Sequence, residues 1–153
     1  MQKAIIALAA LTLAVATAAA GGVAFGPRVG YTSSGSLDQV HLGGHAEVGR
    51  LGTNLLIVPS LEVGSGDGTL IAVNGDVVYD FTELAVGPWG LYAGGGPVLT
   101  RYDGDGADST DFALSVVVGG TYDIRSDRHL FGEIRLGIED APDLKLTLGL
   151  TFR

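Results

Sequence analysis

After residue 22, apolar and polar side chains alternate through most of the chain, and no helical period appears. The last segment is the clearest. Leu144, Leu146, Leu148, Leu150 and Phe152 point one way, and Lys145, Thr147, Gly149, Thr151 and Arg153 point the other. Strand side chains leave on opposite faces in turn, so this segment has one apolar face and one polar or small face. Before it, Leu130, Ile134, Leu136 and Ile138 alternate with Glu133, Arg135, Gly137 and Glu139. Phe112, Leu114, Val116, Val118 and Tyr122 alternate with Ser115, Gly119, Thr121 and Asp123, and Val40, Leu42, Ala46 and Val48 with Gln39, His41, His45 and Glu47. Weaker runs cover 23–32, 54–64, 69–81 and 89–102. The pattern predicts eight strands of about ten residues, the length a tilted membrane strand needs.

Turn residues separate the runs. An even count puts both termini on one side. The connections at 33–37, 65–68, 103–111 and 140–142 then face outward, and those at 49–53, 82–88 and 124–127 face the periplasm, with 103–111 the one long loop. Pro27, Pro59 and Pro97 fall inside three strands. Proline lacks the ladder donor, so bulges or rims are expected there.

The first 20 residues read differently. Lys3 precedes an apolar run from Ala4 to Val15, and small residues follow up to Ala20. This is the layout of a cleavable signal peptide over 1–20, too short for a spanning helix, ahead of a single domain over 21–153. The chain has no cysteine, so an exported fold must be held by its core or by closure of its sheet.

Composition then bears on which face meets what. Charged residues are 17% against 46% hydrophobic, and Lys145 is the only lysine after Lys3. Water-facing surfaces are usually rich in lysine and glutamate. The net charge is −8, falling to −9 if Lys3 is removed, which argues against nucleic acid as a partner.

Alternation alone also suits a soluble lipocalin-like barrel with its faces reversed. Three features favour lipid: the scarcity of lysine, a polar face of Gly, Thr, Ser and Glu/Arg, and aromatics near strand ends. Tyr31, Tyr102 and Phe112 would form an outer girdle, and Tyr79, Phe81, Trp89, Tyr122 and Phe152 an inner one.

The run Tyr92-Ala93-Gly94-Gly95-Gly96-Pro97-Val98-Leu99-Thr100-Arg101-Tyr102, and the strand–turn–strand from Gly119 through Ser126-Asp127-Arg128 to Arg135, resemble the OmpA/OmpX-type and OmpW-like barrel domains. The resemblance implies an all-β, antiparallel up-and-down transmembrane barrel of about eight strands in the bacterial outer membrane. Its surroundings would be outer-membrane lipid and lipopolysaccharide. Thr147, Gly149 and Phe152 match the family's terminal assembly signal, read by the barrel assembly machinery, although Arg153 follows the aromatic. The resemblance also implies a monomer.

Candidate chemistry is sparse. Arg28, Glu47, Glu62, Asp76, Glu133, Arg135, Glu139 and Lys145 are expected to form an interior charge network, since buried charges must be paired. An eight-stranded barrel is filled by such side chains. His41 and His45, four apart on a strand, stand ~13 Å from each other, too far to share an ion. Asp103, Asp105 and Asp108 form a weak cation candidate that fails the EF-hand pattern at its fifth, sixth and twelfth positions. No His-x-Ser pair of a lipid A deacylase occurs. The expectation is a non-enzymatic envelope barrel without a cofactor, with a surface-interaction role open to it. The alternatives are a lipid-modifying barrel enzyme and a secreted soluble barrel with an apolar ligand.

Overall fold

The computed structural model describes residues 23–35, 37–66, 68–104, 107–138 and 144–153. Residues 1–20, for which a signal peptide is expected, and Asp105 and Glu139 lie outside them. Nine strands occur among the described residues: β1 (Ala24–Ser34), β2 (Leu37–Glu47), β3 (Gly49–Arg50), β4 (Leu55–Gly66), β5 (Thr69–Asp80), β6 (Trp89–Gly104), β7 (Ala107–Arg125), β8 (Arg128–Ile138) and β9 (Leu144–Phe152). β2 and β3 both pair with β4 and act as one stave, so the barrel has eight. Every neighbour is antiparallel and consecutive, and β1 pairs with β9 to close the sheet. Closure leaves no sheet edge along the wall, which is what an apolar solvent demands.

The phase of alternation sets the faces. Val29, Leu42, Val73, Val118, Ile134 and Leu148 point outward and are exposed, Val118 and Leu148 each at 60%. Arg28, Glu62, Asp76, Arg135 and Lys145 point inward and are buried. A soluble barrel would show the reverse, so the apolar exterior is a lipid-facing surface.

Three expectations from the sequence change. First, 103–111 is not a long loop. β6 and β7 stay paired to Asp103↔Asp108 and Gly104↔Ala107, so the ladder runs to within two residues of the tip. The longer described connections, 51–54 and 81–88, lie instead at the end where β1 begins and β9 finishes. Second, Pro27 and Pro97 occupy neither bulges nor rims. The β1–β9 ladder skips Gly26 and Pro27 and resumes in the same register at Arg28↔Gly149. The β5–β6 ladder skips the pairs of Gly75 and Asp76 with Pro97 and Gly96, then resumes at Val77↔Gly95. The missing N–H removes a rung without adding a residue. Pro59 does sit at an irregularity, where pairing passes from His45↔Ser60 to Gly49↔Ile57 and the register moves by one. Third, Tyr102 leaves the girdle. It shares the inward phase of Val98 and Thr100, and its ring lies over Gly68 and Gly104.

Candidate functional site

The interior is where this chain concentrates its polar chemistry. Ion pairs form one chain of alternating sign across the lumen. Lys145 on β9 pairs with Glu62 on β4. Glu62 also meets Arg28 on β1, Nε to Oε1 at 3.0 Å. Arg28 pairs with Glu133 on β8. Glu133 lies 3.7 Å from Arg135, which donates two hydrogen bonds to Asp76 on β5 at 2.8 and 2.5 Å. Three cations meet three carboxylates, so the cluster is neutral. Taking such ions out of water is costly unless each finds a partner. The Tyr92 hydroxyl donates to Glu133 at 2.9 Å and Arg135 donates to the Ser115 hydroxyl at 2.7 Å, filling further positions.

Around this chain lie neutral contacts. His41 bridges Thr32 (3.0 Å) and Thr147 (3.2 Å), His45 meets Thr151 at 2.9 Å, and Asn74 donates to Ser60 at 2.9 Å. Glycines make room for the bulk. A Cβ at Gly119 would run into the Tyr92 ring, at Gly149 into the Phe131 ring, at Gly43 into Glu62 and at Gly30 into His41. Gly119 and Gly149 thus make room for inward rings, while Gly43 and Gly30 also lie against a backbone carbonyl of the neighbouring strand, Leu61 and Leu146.

The filling is uneven. From the ion chain toward the Tyr102 end, inward side chains such as Gln39, Thr100 and Val98 are buried. Toward the end where β1 begins and β9 finishes, a cavity of about 80 Å³ remains. Arg28, Asp76 and Glu133 form its floor, Phe131, Tyr92 and Val78 line its wall, and Arg50, Asp80 and Arg153 are at its rim. Glu47 belongs to this vestibule and not to the ion chain: it faces His129 at 3.5 Å. The interior is thus plugged in the middle and hollow at one end.

Of the girdle aromatics, Trp89 and Tyr122 stack edge-on at 4.7 Å outside, Tyr79 and Phe81 meet at 5.0 Å, and Tyr31 and Phe112 are exposed at the opposite end. In the terminal motif, Thr147 is tied inward to His41, Gly149 lies under Phe131, and Phe152 turns outward with its ring 6.4 Å from Phe25. Arg153, the residue beyond the aromatic, donates its backbone N–H to Asp127 at 2.8 Å. Outside the wall, at the β7–β8 turn, Arg128 donates to Asp127 and holds that carboxyl below the usual carboxylate range. Asp103 and Asp108 face each other across the ladder near the far tip. Among the described residues no group of three His, Cys, Asp or Glu is placed to hold a metal ion.

Sequence reasoning missed Tyr92, Phe131 and His129 as interior residues, while Ser115 lies on the polar face as expected. The strand phase of the missed three was the signal, since each alternates in step with Gly94, Glu133 or Arg135.

No family model and no curated protein matches this sequence. Solved structures do share its shape. Neisserial surface protein A superposes with a TM-score of 0.63 at 21% identity, over 85% of this chain and 94% of that one. The N-terminal β-barrel domain of OprF from Pseudomonas aeruginosa gives 0.64 at 13% identity, over 84% and 96%. Ail, the attachment invasion locus protein of Yersinia pestis, gives 0.52 at 11% identity, over 85% and 95%. With a closed eight-stave sheet, an apolar exterior and a charge-paired interior, the chain has the fold of the small outer-membrane β-barrels.

Proposed function

We propose that this protein is an integral outer-membrane envelope component that neither conducts solutes nor catalyses a reaction. The observation that carries this reading is the ion chain from Lys145 to Asp76, which occupies the lumen with paired, buried side chains. An eight-stranded barrel has an interior just wide enough for such filling. The imidazole–hydroxyl contacts, Thr32–His41–Thr147 and His45–Thr151, point inward and are buried, where a nucleophile would meet no lipid or large substrate.

On this reading the end bearing Tyr31, Tyr102 and Phe112 faces outward and the termini face the periplasm. The surroundings are outer-membrane lipid and lipopolysaccharide. The assembly machinery acts on the terminal strand, and the barrel works as a monomer. A surface-interaction role would fall to the outward hairpins, above all β6–β7, because recognition lives on connections presented by a rigid scaffold. The test is membrane fractionation with a heat-modifiability gel, joined to single-channel recording in planar bilayers. Outer-membrane recovery, a folded band that shifts on boiling and no stable conductance are expected. Recovery as a detergent-free soluble protein, or a steady open channel, would overturn the proposal. Analysis of lipid A with and without the protein tests the enzymatic alternative, and unchanged lipid A is expected.

A further inference from the structure

The two in-register gaps in the ladder have a shared geometry. Each contains a Gly-Pro pair, Gly26-Pro27 on β1 and Gly96-Pro97 on β6. Around the closed ring the β1–β9 seam and the β5–β6 seam lie four staves apart, on opposite sides of the barrel. The β6–β7, β8–β9, β1–β2 and β4–β5 ladders continue without a gap. At both gaps a glycine lies against a carbonyl of the next strand, Gly26 on Leu150 and Gly96 on Gly75, where a Cβ would not fit.

Two members of the ion chain, Arg28 within it and Asp76 at one end, fall at these same two places. Arg28 follows Pro27 directly, and Asp76 is one of the residues whose rung is missing. Between them run Arg28–Glu133, Glu133–Arg135 and Arg135–Asp76. We propose that these four side chains form a cross-lumen strut that holds closed the two seams broken in register at Gly-Pro pairs. Seams that have lost hydrogen bonds are the lines along which a closed sheet opens locally. A buried charge pair resists separation because parting it strands each ion in a poor solvent. Placing the strut between the two gaps puts that resistance across both in-register breaks of the ladder, whereas the β2/β3–β4 seam at Pro59 is interrupted by a shift of register. Opening at one seam is thereby coupled to the other, 49 residues away between Pro27 and Asp76.

The test is residue-resolved amide hydrogen exchange on the folded full barrel in phospholipid nanodiscs, comparing the parent protein with Asp76→Asn. The substitution keeps size and removes the charge that Arg135 grips. Exchange is expected to rise at least about tenfold at Val77 and Val98 beside the near gap. A similar rise is expected at Val29 and Leu148 beside the far gap, while Val117 and Ile134 on β7 and β8 change little. The pair-restoring variant Asp76→Arg with Arg135→Asp should return both seams toward the parent rates. If Asp76→Asn does not fold, Arg135→Lys, which keeps the charge but loses the two-pronged grip, is read in the same way. A rise confined to β5–β6, an equal rise in all seams, or no rise in a folded variant would each overturn the strut.

Discussion

Glu62 holds two cations at once, which makes its removal the most demanding test of the interior. Its side chain is 1% exposed and meets Lys145 and Arg28. Glu62→Ala leaves Arg28 with Glu133 but removes from Lys145 its carboxylate partner among the described residues. Breaking a buried pair by deleting one member costs about 3–5 kcal/mol. That corresponds to a fall of roughly 10²- to 10⁴-fold in the folding equilibrium constant. The reverse change, Lys145→Met, is expected to cost far less, because Glu62 keeps Arg28 at 3.0 Å. Combining the two removes the stranded ammonium, so Glu62→Ala with Lys145→Met should recover most of the loss. Urea titration in lipid vesicles, followed by emission of Trp89, the single tryptophan, gives the four corners of the cycle. If Glu62→Ala falls within about 0.5 kcal/mol of the parent, or the double variant is no better than Glu62→Ala alone, the interior is not a desolvated ion network.

Gly149→Ala would press a methyl into the Phe131 ring and to 2.8 Å from the Pro27 carbonyl oxygen, and should destabilise the barrel by about 1–3 kcal/mol in the same titration. Leu148→Arg puts a cation on the lipid face and should cost about 2–4 kcal/mol in vesicles. Ile124→Arg, near the β7–β8 turn, should cost about 1 kcal/mol or less. Thermal melts of Thr147→Val should show destabilisation of about 1 kcal/mol, because His41 keeps Thr32 but loses its second hydroxyl partner, at 3.2 Å inside the wall.

The strands were legible because a half-buried sheet writes its two faces as period two, and most of the eight staves lie within a few residues of where alternation places them. β9 and β8 are the plainest, with leucine and isoleucine on one face and Lys145, Thr147, Glu133 and Arg135 on the other. The reach of β6 and β7 was hidden because Asp103, Gly104 and Asp108 have turn chemistry, while the ladder that carries them is set by pairing between strands. Tyr102 was misplaced because an aromatic near a strand end suits a girdle, yet its parity turns it inward over Gly68 and Gly104. The charged interior residues could be named from phase alone. Their partners could not, since Lys145–Glu62 and Arg135–Asp76 join residues 83 and 59 positions apart, and only barrel closure and shear decide which meet. The vestibule was invisible for the same reason: it is space left over by packing.

The most direct test of a lipid-facing exterior is fluorescence quenching by brominated phosphatidylcholine. In a Trp89→Phe background, single tryptophans replace Leu148 on the outward face and Thr147 on the inward face of β9. Strong quenching at position 148, greatest with bromines near mid-chain, and little at position 147 are predicted. Equal quenching at the two positions, or none at 148, would contradict a membrane-spanning barrel with its apolar face outward.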